Sequence, residues 1–246
     1  MQYYSADGQD LLLKKFFDSE GITEGFYLDV GSVDGIYINN TYLLEINGWK
    51  GICVEAHPDY AKILNKNRPN SICYSCAAGD EDKDFCDFNS NYRGSLSSLD
   101  FTKESYFKRN YSLWYGDREE EKVNGITNGK IQIPMKKLDT ILLENNVKNV
   151  DVISIDVDGS ESYTFKGLNL SLWNPRILIL EDDSETELVN EYAKINNYKF
   201  SRQIGSDLFF CKNDSDVEKL KSIEINGLRI ERPHPSEIYF NKNENN

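Results

Sequence analysis

No stretch of this chain reaches the roughly 18 apolar residues that a membrane-spanning helix needs. The N-terminus also lacks the basic stretch, apolar core and small-residue cleavage site of a secretory signal, so a cytoplasmic location is expected. Positive charge is scarce: 28 Lys and Arg stand against 41 Asp and Glu, a formal net charge of -13. Such a surface repels phosphate backbones and anionic lipid, so neither nucleic acid nor membrane is an expected partner. A second CxxC is missing as well. Cys73 and Cys76 form one such pair, but the strand-like segment around them would send the two thiols to opposite faces, which argues against a zinc site. The five cysteines are odd in number, and Cys53 and Cys211 lie in apolar runs, so reduced core thiols are expected rather than a disulfide framework.

What is present is a globular composition, 39% hydrophobic and 28% charged, in a chain of 246 residues. That length predicts a single domain over 1–246. Strand-length apolar runs alternate with stretches of helical period, which predicts an α/β architecture: a doubly wound, mostly parallel sheet with helices on both faces. The strands are expected at 25–32, 51–56, SICYSCAAG, 150–158 and 176–183, with helices at 10–17, 40–47, 58–67, 138–145, 161–167 and 185–196. Gly205 suits a hairpin turn that makes the final pair antiparallel. The gap before the fourth strand is too long for one crossover, so an insertion is expected at about 84–137. It carries the aromatics Tyr106, Phe107, Tyr111, Trp114 and Tyr115, suited to a lid over sugar faces or to a satellite core. A C-terminal extension follows at about 214–246.

In such a sheet ligands sit beyond the carboxyl ends of the strands, so the residues that close each strand are the ones to read. The first end, LDVGSVDG, offers Asp29 as an acceptor and Gly31 for a tight turn. A dinucleotide fingerprint would need glycines where Val33 and Ile36 stand, so a pyrophosphate cradle is missing and a nucleotide-dependent oxidoreductase is the weaker reading. Glu55 follows Gly31 by 24 residues, the place for an acid that accepts both ribose hydroxyls of an adenosyl group. His57 before Pro58 suits pocket shaping better than acid-base work. Ala77 and Ala78 leave room for a flat ring.

Asp156, Asp158 and Glu161 in SIDVDGSE, and Glu181, Asp182 and Asp183 in LEDD, crowd one mouth with carboxylates. Such crowding requires relief by a cation, an acceptor hydroxyl or raised pKa values. Asp156 and Asp182 close neighbouring strands, and with Glu181 or Asp183 they would make a hard-oxygen site for Mg²⁺, Mn²⁺ or Ca²⁺. Strand alternation opposes this in part, because it sends Glu181 and Asp182 to opposite faces.

Taken together, YSADGQDLLL, FYLDVGSVDGIYINNTYLLEINGWKGICVEAHP, AAGDEDKDF, SLSSL, LDTILLE and VISIDVDGSESYTFKGL resemble the FkbM family of methyltransferases, over about residues 4 to 183. The resemblance implies a Rossmann-like class I methyltransferase fold, S-adenosylmethionine as donor, and O-methylation of a small-molecule or glycan acceptor. It places donor contacts at Asp29, Gly31, Asp34, Asn40, Glu55 and Ala56, and acceptor-side roles at Asp156 and Glu161. The family usually carries Glu where this chain has Asp158, which shortens that group's reach. With it, Asp156, Asp158 and Glu161 form the expected catalytic set. A domain that only binds S-adenosylmethionine or a partner protein is the non-enzymatic alternative.

Overall fold

A computed structural model describes residues 1–91, 122–123, 126–182 and 186–240. The strands and helices run in the order β1 (Gln2–Tyr3), α1 (Gln9–Asp18), β2 (Phe26–Val30), α2 (Tyr42–Glu45), β3 (Lys50–Glu55), α3 (Pro58–Asn67) and β4 (Ser71–Ser75). Then come β5 (Ala77–Ala78), β6 (Lys83–Ser90), β7 (Lys122–Val123), β8 (Ile126–Thr127), β9 (Gly129–Lys136), α4 (Leu138–Glu144), β10 (Val152–Ile155), α5 (Glu161–Lys166) and α6 (Leu170–Trp173). The chain continues through β11 (Ile177–Glu181), α7 (Thr186–Ile195), β12 (Lys199–Ile204), β13 (Asp207–Cys211), α8 (Asp214–Ser222), β14 (Leu228–Arg229) and α9 (Pro235–Tyr239).

Seven strands form the central sheet in the order β12-β13-β11-β10-β2-β3-β4. All neighbours are parallel except β13, which runs antiparallel to both β11 and β12. This is the doubly wound, mostly parallel sheet with an antiparallel hairpin at its edge that the sequence predicts. Strand alternation sorts its two cores. Leu28, Val30, Ile153, Ile155, Leu178 and Leu180 face α4, α5 and α7 through Leu138, Ile141, Phe165 and Val189. Tyr27, Cys53, Val152, Ile177 and Ile179 face the other way, against Leu12 and Phe16 of α1, Leu64 of α3 and Leu220 of α8. The chain moves outward from β2 to β4 on one side and from β10 to β11 on the other. The switch point therefore lies between β2 and β10, where a cleft opens.

The structure departs from the sequence reading at three places. The SICYSCAAG segment is not one strand: β4 ends at Ser75, and Ala77–Ala78 leaves the central sheet to pair in parallel with Met135–Lys136 of β9. Cys76 is buried at that break, a geometry that period-2 reasoning does not anticipate. The helix expected over 40–47 is only Tyr42–Glu45, because Asn39 Oδ1 accepts from the backbone N–H groups of Thr41 and Tyr42 and starts the helix late. The insertion expected at about 84–137 opens with a strand, Lys83–Ser90, that pairs antiparallel with β9, so a three-stranded sheet in the order β5-β9-β6 stands beside the cleft. The aromatic segment from Tyr106 to Tyr115 and Asp183 lie outside the described residues. Among the described residues no helix is long and apolar enough to cross a membrane.

Candidate active site

The loop after β2 is under backbone strain. Val33 and Ile38 adopt φ of 49° and 43°, a left-handed conformation that β-branched residues rarely take and that accumulates at functional sites. Several contacts hold it there. Gly31 N–H and Ser32 N–H donate to the Val54 carbonyl, and Val33 N–H donates to Glu55 Oε2 at 2.7 Å. Asp34 Oδ1 accepts from Ile36 and Tyr37 N–H, and Ser5 forms a parallel bridge with Ile38.

Beneath the loop lies a buried ionic network that sequence reasoning missed. Arg68 is fully buried at the end of α3. Its guanidinium donates to Glu45 Oε2 at 2.6 Å, the Gly35 carbonyl at 2.7 Å, Asn39 Oδ1 at 3.1 Å and Thr41 Oγ1 at 2.7 Å. Asp29 accepts from Asn39 Nδ2 and Thr41 Oγ1, each at 2.8 Å, and lies 4.0 Å from Arg68 Nη2. One buried cation thus organises the segment from Gly35 to Glu45. No pattern announces it: Arg68 sits at a helix end before Pro69, where a solvated basic residue is the ordinary expectation.

Above the loop lies a cleft with about 1030 Å³ of empty space, part of it open solvent. Asp29, Gly31, Asn40, Glu55, Ala56, Ala77 and Ala78 line it, and Phe88 of β6 adds an apolar wall. Glu55 is buried, and its oxygens accept from Val33 and His57 N–H at 2.7 Å each. Burial outweighs those bonds and pushes its carboxyl up to about 7. Three expected residues, Asp34, Glu161 and Asp182, do not line the cleft. Asp34 is fully buried, turned into its own loop and facing Arg232 Nη2 at 3.5 Å. Glu161 is buried too, and its Oε1 accepts from Gly159 N–H at 3.2 Å.

At the other end of the cleft the ligand-capable oxygens of Asp156, Asp158 and Glu181 lie within 4.8 Å of one another. Burial, then the charge and hydrogen bond of Glu181, then the charges of Asp158 and Asp207, hold the Asp156 carboxyl well above the usual carboxylate range. Asp182, expected beside them, is replaced in this cluster by Asp158. Its two oxygens accept instead from Thr186 Oγ1 at the start of α7, at 2.8 and 2.7 Å, because alternation along β11 turns it away from Glu181.

His57 performs no visible work in the cleft. It is fully buried, accepts from Asp59 N–H to cap α3, and reaches the Thr127 carbonyl at 3.1 Å. Burial lowers its pKa to about 4, which keeps it neutral near pH 7. Asp59 Oδ2 accepts from both Thr127 N–H and Oγ1, so α3 and β8 are pinned together at that residue.

Residues 29–203 match the family model described as the methyltransferase FkbM domain. Among solved structures, the chain is similar to a TehB-like SAM-dependent methyltransferase from Corynebacterium glutamicum, with 9% identity, 84% of this chain and 86% of that one covered, and a TM-score of 0.41. A candidate RNA methyltransferase from Pyrococcus horikoshii shows 11% identity, coverage of 82% and 80%, and a TM-score of 0.40. A ribosomal protein L11 methylase from Lactobacillus delbrueckii subsp. bulgaricus shows 12% identity, coverage of 83% and 78%, and a TM-score of 0.37. The chain has no match among curated proteins.

Proposed function

The chain belongs to the FkbM methyltransferase family, and from that premise we propose that it methylates a hydroxyl of a small acceptor, a sugar or glycan. Membership makes it an S-adenosylmethionine-dependent methyltransferase and displaces the oxidoreductase reading. The observation that carries the finer proposal is one cleft with two chemically distinct ends: Glu55 and the small apolar residues at one, Asp156, Asp158 and Glu181 at the other.

The lining fits the donor. In this reading Glu55 accepts the ribose hydroxyls, and adenine lies against Ala56, Ala77, Ala78 and Phe88, all of which line the cleft. When bound, S-adenosylmethionine supplies a methyl group made electrophilic by its sulfonium. An alcohol must lose its proton as its oxygen bonds to that carbon and the carbon–sulfur bond breaks. A carboxylate of raised pKa is a competent acceptor for that proton, and this role falls to Asp156 with Asp158 beside it. Alignment of the two reactants contributes about 7 to 11 kcal/mol, more than the roughly 10²- to 10⁴-fold of a general base.

A second reading is favoured by the carboxylate spacing: Asp156, Asp158 and Glu181 would hold Mg²⁺ or Mn²⁺, which would polarise the acceptor hydroxyl. A thermal-shift scan with S-adenosylmethionine, S-adenosylhomocysteine, NAD and NADP, followed by methyl transfer to a glycan panel with and without EDTA, tests both readings. Stabilisation by the S-adenosyl compounds and methyl ethers on a glycan are expected. Methylation only of amines or thiols would refute the hydroxyl assignment.

A further inference from the structure

The N-terminal segment precedes the family match, which begins at residue 29, yet it packs against the wall of the cleft. Gln9 at the start of α1 is almost fully buried. Its Oε1 accepts from Asp7 N–H at 2.8 Å. A backbone N–H can only donate, so the amide nitrogen of Gln9 must point the other way. There Nε2 donates to Asp207 Oδ2 at 2.8 Å and to the Ile204 carbonyl at 3.3 Å. The other oxygen of Asp207 accepts from Asn40 Nδ2 at 3.3 Å, and the same nitrogen reaches Ser154 Oγ at 3.3 Å. The Asn40 amide thus turns its nitrogen toward Asp207 and Ser154 and its carbonyl oxygen the other way. Asn40 lines the cleft, and its Oδ1 accepts no hydrogen bond from a described residue and is not sealed in the core. Gln9, fixed by a main-chain donor, holds the Asp207 side chain, and Asp207 in turn holds the nitrogen side of the Asn40 amide.

We propose that Gln9 is a positioning residue: through Asp207 it locks the Asn40 amide with its carbonyl oxygen toward the cleft, where that oxygen accepts from the α-ammonium of the donor's methionine portion. The proposal rests on the donor reading above. An amide locked the opposite way would present N–H groups, which suit the donor's carboxylate and repel its ammonium. The relay therefore decides which charge of the amino-acid end this wall of the cleft recognises.

The test compares S-adenosylhomocysteine, which carries the ammonium, with 5′-methylthioadenosine, which shares the nucleoside and thioether but lacks the amino-acid end. Two variants of the full chain are measured by calorimetry. Gln9→Met removes both arms of the first amide at similar volume. Asp207→Asn places an N–H₂ opposite Asn40, which must then rotate its own nitrogen into the cleft. Each should weaken S-adenosylhomocysteine by about tenfold or more, the value of a charge-assisted hydrogen bond, and leave methylthioadenosine unchanged. A misfolded variant is recognised by a changed near-ultraviolet circular dichroism spectrum, and the other variant then decides alone. Parallel loss of both ligands in a folded variant, or no loss of either, overturns the relay. A wild-type chain that bound neither ligand would overturn the donor reading itself and the relay with it, a result distinct from either outcome in the variants.

Discussion

The carbonyl oxygen of Asp156 occupies the space that a side chain on Gly31 would need: a Cβ added to Gly31 would lie 1.6 Å from it. The ends of β2 and β10 meet at this point, so Gly31 serves the approach of two strands as well as the turn beside a ligand. Gly31 also has φ of 87°, which an alanine adopts only with strain. Gly31→Ala should therefore cost about 3 kcal/mol of stability from the forced separation alone. Urea unfolding checks this, and an unchanged midpoint would disprove the close approach.

Glu55 links stability and donor affinity to pH in opposite directions. Its folded pKa, about 7, is raised above its ordinary value, so its stabilising contribution is fully present at acidic pH and is lost as pH rises through about 7. Donor binding by the ionised carboxylate should instead weaken below that value, approaching about tenfold per pH unit. Glu55→Gln should flatten the profile, and Glu55→Ala should weaken donor binding by about 1.5 to 3 kcal/mol. Calorimetry across the pH range measures all three.

The crowded carboxylates predict a trade of stability against rate. Asp156→Asn removes one of several like charges, so the melting temperature should rise while kcat falls by about 10²- to 10⁴-fold with donor affinity retained. A variant that transfers methyl groups at the normal rate would remove Asp156 from the proton-accepting role.

If a cation is held at this end, EDTA and Glu181→Gln should each abolish transfer, whereas Asp182→Asn should retain the wild-type rate because its carboxylate is engaged by Thr186. Full activity after exhaustive EDTA treatment leaves proton acceptance by the carboxylates as the working mechanism.

Arg68 is expected to be the most sensitive position outside the cleft. Arg68→Ala leaves Glu45 and Asp29 buried without their cation and should cost about 3 to 5 kcal/mol in a denaturant titration. Arg68→Lys keeps the charge but loses the planar fork that reaches four partners, so recovery should be partial.

The alternation of strands and helices, the antiparallel final pair and the acids that close the strands could all be read along the chain, because each depends on periodicity or on neighbours a few residues away. Glu55 and Asp156 were legible for that reason, and the sheet brings both to one cleft. That Asp34 turns away from the cleft could not be read locally, because the side chain that it faces, Arg232, comes from the far end of the chain. Arg68, Thr127, Phe88 and Asp207 were invisible for a related reason: each contributes through partners that are distant in sequence, and nothing in its own neighbourhood distinguishes it from an ordinary surface or core residue.

The sequence by itself determined the sheet's composition, its direction changes and the kinds of side chain available at its carboxyl edge, since hydrophobic periodicity and turn chemistry are local. Only the tertiary structure decided which of those side chains share a cavity. Register set Glu181 rather than Asp182 beside Asp156 and placed Asp207 opposite Glu181, and packing put Gln9 behind Asn40. These are properties of strands and loops brought together from distant parts of the chain, and one step of register would exchange every side chain at the cleft for its neighbour on the other face.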